Sequence, residues 1–279
     1  MSLRRYIVIN AKGGSGKTTV ATNLAACFAG QGFRTALFDY DPQYSSLAWL
    51  KARRSDAAPI FGVAAHEPAR APMGGAWQLR VPRETERVVI DTAAGLRAAD
   101  LAGRIQPTDT LLIPIQPSAM DVRATADFIR DLMLVGKVRV QSGRVGIIVN
   151  RVRRVGGALE NLYRFLETLN VPVVAELRDS PHYLDAIEQG AGIVEATDAD
   201  AAEDQACWKK IIDWAQPATE AQPTPVRPAN AGNIRPVVPM SGRAWAPAQS
   251  HPQSPASEGP VQHELPIPAF LTYDGETRH

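Results

Sequence analysis

The chain has 279 residues, 45% of them hydrophobic, and its 30 basic and 29 acidic residues give a formal net charge of +1. That length supports one or two domains with a sizeable core, and so small a net charge excludes a protein that wraps nucleic acid through composition alone. Two cysteines, Cys27 and Cys207, are too few for a disulfide-stapled secreted domain or a Cys-x-x-Cys metal pair. No apolar run approaches the roughly 20 residues of a membrane span, and the apolar stretch at the amino terminus is too short for a signal peptide. We therefore expect a soluble, cytoplasmic protein without a membrane partner.

Short apolar runs alternate with helical patterns along the first 216 residues. The runs, which we interpret as strands, lie at 5–10, 35–39, 60–65, 87–91, 110–114, 144–150 and, more weakly, 171–175. The helical patterns lie at 17–30, 45–54, about 118–135, 158–169, 180–189 and 201–215. Continuous apolar strands separated by helices are buried on both faces. The pattern therefore predicts an α/β fold, a doubly wound, mostly parallel sheet flanked by helices, with ligands at the carboxyl ends of its strands.

The turn after the first strand has the composition of a phosphate-binding loop. Residues 11–19 read A-K-G-G-S-G-K-T-T and lie between the first strand and the first helix. Glycines let backbone N–H groups turn toward phosphates, and the amino terminus of a helix adds a positive dipole end. Lys17 can reach the β and γ phosphates, and the hydroxyl of Thr18 can bind Mg²⁺. The pattern G-x-x-x-x-G-K-[ST] fails at its first position, Ala11, so a glycine-rich turn with a surface lysine is the alternative.

A narrower pattern accounts for this departure. Residues 12–18, K-G-G-S-G-K-T, resemble the deviant Walker A motif of the ParA/MinD family of P-loop ATPases, and nearly all of residues 1–216 is similar to its small ParF-type partition members. The resemblance implies ATP and Mg²⁺ as cofactors, a catalytic role for Lys17, and a second catalytic lysine, here Lys12, that reaches the nucleotide of the other subunit in a homodimer. An exposed loop lysine without a role is the alternative reading of Lys12. The loop residues implied to contact the nucleotide are Lys12, Gly13, Gly14, Ser15, Gly16, Lys17, Thr18 and Thr19.

Three aspartates follow strands in the order that the same family shows. Residues 39–43, D-Y-D-P-Q, resemble the D-x-D-P-Q element of the family, which implies that Asp41 helps to position the attacking water and that Asp39 lies near the metal. Asp91 ends the strand 87–91 and resembles the Walker B aspartate, so the metal would be served by Thr18, Asp39 and Asp91. A carboxylate at a strand end can hold Mg²⁺ through water, because Mg²⁺ keeps much of its hydration shell. Each aspartate alone could instead cap the amino terminus of a helix.

Polar and basic residues follow the strand 144–150. Asn150 ends that strand and either hydrogen-bonds the edge of adenine or is a turn asparagine. ParA-type proteins bind nonspecific DNA as ATP dimers, and contacts of this kind add affinity without sequence information and weaken with salt. Solvated surface charge is the alternative, and Arg151 could serve the nucleotide instead. The candidate DNA-binding residues are Arg151, Arg153, Arg154, Lys209 and Lys210.

The last 63 residues, 217–279, differ in composition from the rest and hold 12 of the 22 prolines. Such a segment buries too little apolar surface to offset chain entropy, so we expect a disordered tail after an ATPase domain at 1–216. Residues 264–271, E-L-P-I-P-A-F-L, form a compact apolar cluster that is similar to the carboxy-terminal docking peptide of the division protein FtsZ. A linear motif for a tail-binding partner is one interpretation, and chance in a biased segment is the other.

Taken with the motifs, the resemblance implies a nucleoid-associated ATPase. Its ATP dimer would bind DNA, and a ParB-like protein or cargo adaptor would stimulate hydrolysis, so that a plasmid partition complex or protein assembly is positioned. A non-catalytic scaffold switched by nucleotide is the competing class, and a P-loop metabolic ligase is a remote one.

Overall fold

The computed structural model describes residues 3–66, 81–97, 100, 105–106, 109–134, 145–153, 158–169 and 171–216. The expected tail at 217–279, its motif at 264–271, and Arg154 lie outside the described residues. Seven parallel strands form one sheet in the order β3-β2-β4-β1-β5-β6-β7. The strands are β1 (Arg4–Val8), β2 (Thr35–Asp39), β3 (Ile60–Ala64), β4 (Arg87–Asp91), β5 (Thr110–Ile115), β6 (Val145–Val152) and β7 (Val173–Arg178).

Within the described ranges, six α-helices connect or follow these strands. They are α1 (Lys17–Gly30), α2 (Ser45–Ala52), α3 (Ala119–Leu134), α4 (Ala158–Leu169), α5 (His182–Glu188) and α6 (Ala202–Ala215). Short 3₁₀ turns lie at Ile193–Glu195 and Ala199–Ala201. None of the helices in the described part of the chain is long and apolar enough to cross a membrane.

The apolar core divides into two clusters, one on each face of the sheet. Successive side chains of a strand point to opposite faces, so Tyr6 and Val8 pack in one cluster and Ile7 in the other. Helices α1 and α6 cover the first face, where Trp208 is fully buried. Helices α3 and α4 cover the second face. Burial of the strands on both sides explains why their sequences are continuously apolar rather than alternating.

The sheet, its parallel direction and the order of elements confirm the sequence-based fold. Several boundaries differ, and two of them matter here. Strand β6 continues to Val152, so Asn150 lies within the strand and does not end it. Strand β7 covers 173–178 instead of 171–175. Pro172 has no N–H to donate to the ladder, and Leu177, which is fully buried, extends the inward-facing pattern beyond Ala175.

The central strand β1 pairs with β4 on one side and with β5 on the other. The chain runs from β1 to β2 on the β4 side of β1, whereas the connection from β4 crosses to β5 on the other side. This reversal of direction creates a crevice at the carboxyl ends of these strands. The loop 9–16, the residues after Asp91 and the segment after Ile115 all meet at this crevice.

Candidate functional site

The loop between β1 and α1 depends on two glycines with left-handed backbone. Gly14 has φ 77° and Gly16 has φ 96°, values that side chains other than glycine rarely adopt. Gly16 directly precedes α1, and a Cβ added there would overlap the side-chain nitrogen of Asn150. Glycine is therefore required at position 16 for two reasons: the left-handed turn and the close approach of Asn150 from β6.

One side chain from β6 and one from the segment after β5 hold two carbonyl groups of this loop. Asn150 Nδ2, from β6, donates to the carbonyl oxygen of Ser15 at 3.0 Å. Gln116 Nε2, from the segment after β5, donates to the carbonyl oxygen of Gly14 at 2.6 Å. Gln116 is not among the site residues predicted from the sequence, although a polar side chain directly after the buried strand β5 was a usable signal.

Asn10 fixes the start of the loop. Its Oδ1 accepts from the backbone N–H of Lys12 at 2.9 Å. Its Nδ2 donates to the carbonyl oxygen of Pro114 at 2.8 Å and to Thr125 Oγ1 at 3.1 Å. Asn10 is also absent from the sequence-based set, because no motif position points to it. It ties the loop to β5 and α3.

Asn150 is buried, with 5% of its surface exposed. Besides its bond to the loop, its Oδ1 accepts from the backbone N–H of Arg151 at 3.0 Å, and Arg151 has a left-handed φ of 54°. Both the nitrogen and the oxygen of its side-chain amide therefore hydrogen-bond to the backbone. The structure places Asn150 beside the loop, and its expected contact with adenine stays a prediction.

Lys17 begins α1 and is 6% exposed. Its Nζ donates to the carbonyl oxygen of Lys12 at 3.2 Å. Burial lowers the pKa of Lys17, and the negative charges of Asp91 and Asp41 oppose that fall. A buried ammonium that faces a crevice with carboxylates is suited to an anionic ligand, because such a ligand would offset the cost of burying the positive charge.

Asp91 ends β4 and is 1% exposed. Burial raises its pKa to about 7, Asp39 and Asp41 add to the rise, and the neighbouring Thr18 hydroxyl and Lys17 ammonium oppose it. Neither of its carboxylate oxygens accepts a hydrogen bond of normal geometry from the described residues. A buried carboxylate without such a partner is costly, and a bound cation would relieve that cost.

Asp39 is fully buried and organises the segment that follows β2. Its Oδ1 accepts from the backbone N–H of Asp41 at 3.0 Å, and its Oδ2 accepts from that of Leu47, in the first turn of α2, at 3.1 Å. The capping role that the sequence left open is therefore present. Asp41 is half-buried, and its Oδ1 accepts from the backbone N–H of Gln43 at 2.9 Å.

The donor set fits Mg²⁺ better than a metal that needs a protein cage. No group of three or more His, Cys, Asp or Glu side chains in the described ranges is arranged to hold a metal ion. Mg²⁺ usually keeps several waters and takes one or two carboxylates together with substrate phosphates. The Thr18 hydroxyl and the Asp91 carboxylate can supply that small number of ligands. Asp39 adds negative charge nearby, while both of its oxygens already accept backbone N–H groups.

Lys12 lies at the rim of the loop with 36% of its side chain exposed. Its Nζ is 3.7 Å from Asp121 Oδ1, in the first turn of α3. Asp121 is held in turn by Ser118, which lies just before the helix. The side chain of Lys12 thus forms an ion pair within its own chain and is accessible from outside.

The candidate DNA-binding residues occupy two elements. Arg151 lies near the carboxyl end of β6 and Arg153 directly follows the strand, whereas Lys209 and Lys210 lie on α6. Arg153 forms an ion pair with Asp179 at 2.7 Å, and Lys209 forms one with Asp213 at 2.7 Å. Both basic side chains and that of Asp213 are well exposed, whereas that of Asp179 is half-buried. Among the described residues, Arg151 and Lys210 have no ion-pair partner within 4.0 Å.

Residues 6–193 match the sequence profile of the CobQ/CobB/MinD/ParA nucleotide-binding domain. The chain belongs to this family. It is 31% identical over 211 residues to the maintenance of carboxysome distribution protein A of Gloeobacter kilaueensis, a match that covers 75% of this chain and 93% of that protein. It is 32% identical over 119 residues to the chromosome-partitioning ATPase Soj of Thermus thermophilus, covering 42% of this chain and 47% of Soj.

Among solved structures, the ATP complex of a McdA variant from Cyanothece superposes with a TM-score of 0.54 at 18% identity and covers 76% of this chain and 98% of that one. A likeness at this identity establishes the shared fold. The profile match over residues 6–193 and the 31% identical relative confirm the ParA/MinD assignment made from the loop motif, and the ParA/MinD family is one of ATPases.

Proposed function

We propose that this chain is a ParA-type ATPase that binds ATP with Mg²⁺ at the loop 11–19. The observation that carries the proposal is that Lys17 and Asp91 are both buried at this crevice, and that the Asp91 carboxylate has no hydrogen-bond partner of normal geometry among the described residues. Anionic phosphates would offset the charge of Lys17, and a divalent cation would offset that of Asp91. Each buried charge then gains the partner that its burial demands.

Mg²⁺, when bound, would supply positive charge that offsets the negative charge developing on the phosphates during hydrolysis. The residues of this chain provide the rest. Lys17 neutralises the terminal phosphates, Thr18 and Asp91 hold the cation, and the loop N–H groups orient the phosphate chain. Asp41, half-buried at the same crevice, orients the attacking water with its carboxylate.

We propose further that ATP draws two copies of the chain into a dimer. Lys12 lies on the rim of the loop and is partly exposed, so it can exchange the ion pair with Asp121 for the nucleotide of the facing copy. A cation supplied from the partner would stabilise charge in the transition state and would make hydrolysis depend on dimerisation.

The dimer would bind DNA nonspecifically, in the cytoplasm and on the nucleoid. Arg151 and Lys210 are the first candidates for phosphate contacts, because no ion pair with a described residue competes for them. Arg153 and Lys209 would have to leave their partners Asp179 and Asp213, although exposed pairs of this kind cost little to break. A ParB-like protein or cargo adaptor would then stimulate hydrolysis and release.

The relatives favour positioning of a cargo. One is named for carboxysome distribution and another for chromosome partitioning, so a protein assembly and a DNA partition complex both fit. The tail at 217–279 would carry a binding motif for a partner at 264–271. A nucleotide-switched scaffold without turnover is the second candidate, and release of phosphate from ATP in the presence of DNA separates the two.

The test of nucleotide binding is titration calorimetry with Mg-ATP on the wild-type chain, Lys17→Ala and Lys51→Ala. Removing the buried cation should weaken binding by at least about a hundredfold, since a hydrogen bond to a charged group and a buried charge pair are both lost. Lys51 is an exposed lysine on α2 and serves as the control with unchanged affinity. Equal affinity of Lys17→Ala and wild type would contradict the assignment of this loop.

A further inference from the structure

Two carbonyl groups of the phosphate-binding loop are held by side chains from outside the motif. The carbonyl oxygen of Gly14 accepts from Gln116 Nε2 at 2.6 Å, and that of Ser15 accepts from Asn150 Nδ2 at 3.0 Å. Asn150 already belongs to the expected nucleotide site. Gln116 lies about a hundred residues from the motif, in the segment after β5, and no role was predicted for it from the sequence.

Peptide geometry converts these carbonyl contacts into an arrangement of N–H groups. A trans peptide is planar, so the C=O of one residue and the N–H of the next point in opposite directions. No cis peptide is present in the described residues. Fixing the carbonyl of Gly14 therefore fixes the N–H of Ser15, and fixing the carbonyl of Ser15 fixes the N–H of Gly16.

The two N–H groups are free to bind a ligand. Within the described residues, neither the N–H of Ser15 nor that of Gly16 donates a hydrogen bond to the protein. Backbone donors left unpaired beside a helix amino terminus form an anion-binding concavity. The left-handed backbone of Gly14 adds conformational freedom at this peptide, so an external contact is needed to keep its orientation.

We propose that Gln116 is a positioning residue of the nucleotide site, which aims the N–H of Ser15 at a phosphate group by holding the carbonyl oxygen of Gly14. This inference rests on the proposed binding of ATP. The sheet topology explains how Gln116 reaches the loop, because β5 pairs directly with β1 and its carboxyl end lies beside the loop. Asn10, at the start of the loop, donates to the carbonyl oxygen of Pro114, two residues before Gln116. This hydrogen bond also holds the backbone near Gln116 close to the loop.

The chemistry of the side chain is specific. The amide of Gln116 donates to a carbonyl oxygen, whereas a carboxylate of the same size can only accept. Glutamate would thus repel the oxygen of Gly14 and add negative charge beside the phosphates. Methionine has similar length and no donor, so it removes the contact without adding charge.

The experiment compares Gln116→Met, Gln116→Glu and the control Gln205→Met. Gln205 also donates to backbone carbonyls, those of Ile193 and Ala196, but its partners lie between α5 and α6. A fluorescent ATP analogue with Mg²⁺ reports affinity, and thermal unfolding without nucleotide reports stability. Gln116→Met should raise Kd by about tenfold, Gln116→Glu should raise it further, and Gln205→Met should leave it unchanged.

Two further readouts separate positioning from a structural role. The melting temperature of Gln116→Met without nucleotide should equal that of wild type, while the increase caused by Mg-ATP should be smaller. In steady-state hydrolysis, KM should rise with kcat unchanged, because the loop contact is present in ground and transition states alike.

The inference is overturned if Gln116→Met and Gln116→Glu bind the analogue as tightly as wild type, or if loss of affinity tracks loss of stability in the absence of nucleotide. A wild-type chain that does not bind the analogue would instead contradict the proposed function.

Discussion

Replacing Asp91 with asparagine should remove a specific part of the pH dependence of stability. Burial raises the pKa of Asp91 from 3.8 to about 7, so the folded chain binds a proton that the unfolded chain releases between these values. The folded state is therefore destabilised as pH rises through this range and is not destabilised further above it. At 1.36 kcal/mol per pH unit, the wild type should lose about 2 kcal/mol of unfolding free energy between about pH 5.5 and pH 8 through this group.

The assay is urea unfolding at those two pH values, with EDTA and without nucleotide. Between these two pH values, the unfolding free energy of Asp91→Asn should decrease by about 2 kcal/mol less than that of wild type. Using the difference between two pH values cancels the pH-independent cost of burying an asparagine amide at this place. Asp213→Asn, at an exposed carboxylate, is the matched control and should follow wild type. An identical pH dependence in wild type and Asp91→Asn would refute the account of Asp91 as a costly buried charge.

Two further predictions concern DNA and the tail. The double variant Arg151→Glu with Lys210→Glu should weaken nonspecific duplex binding in the presence of ATP and flatten its salt dependence, with Arg54→Glu as an exposed control; an unchanged electrophoretic shift would place the DNA contacts elsewhere. A chain that ends at residue 216 should bind Mg-ATP and DNA as the full chain does, while a fluorescent fusion of it loses its normal distribution in cells. Loss of ATP binding on truncation would show that the domain boundary is wrong.

The fold was predictable because its strands are apolar on both faces and are separated by helices. Strand ends were less predictable, since they depend on which backbone groups find a partner in the ladder. Asn150 illustrates the point, because it lies inside β6 and its amide is used by a loop that is distant in sequence.

The candidate site was predictable where chemistry is concentrated in a short motif. Lys17, Thr18 and Asp91 lie together at one crevice because parallel strands bring their carboxyl ends to one edge. Asp39 shows a limit of that reasoning. The sequence is compatible both with an aspartate that caps α2, which the structure shows, and with one that lies near the metal, so it does not distinguish the two roles. Gln116 and Asn10 show another limit, because their roles arise only from the pairing of β1 with β5.

The most direct test of the central claim is the mass of the Asp41→Ala chain measured by light scattering after size exclusion, with Mg-ATP or with Mg-ADP. Because we propose that Asp41 orients the attacking water and does not bind the nucleotide, this variant should bind ATP, hydrolyse it slowly and accumulate as a dimer. We expect the mass of two chains with ATP and of one chain with ADP. Addition of Lys12→Ala should return the ATP sample to the mass of one chain. A single-chain mass for Asp41→Ala with saturating ATP would contradict the proposed ATP-driven dimer.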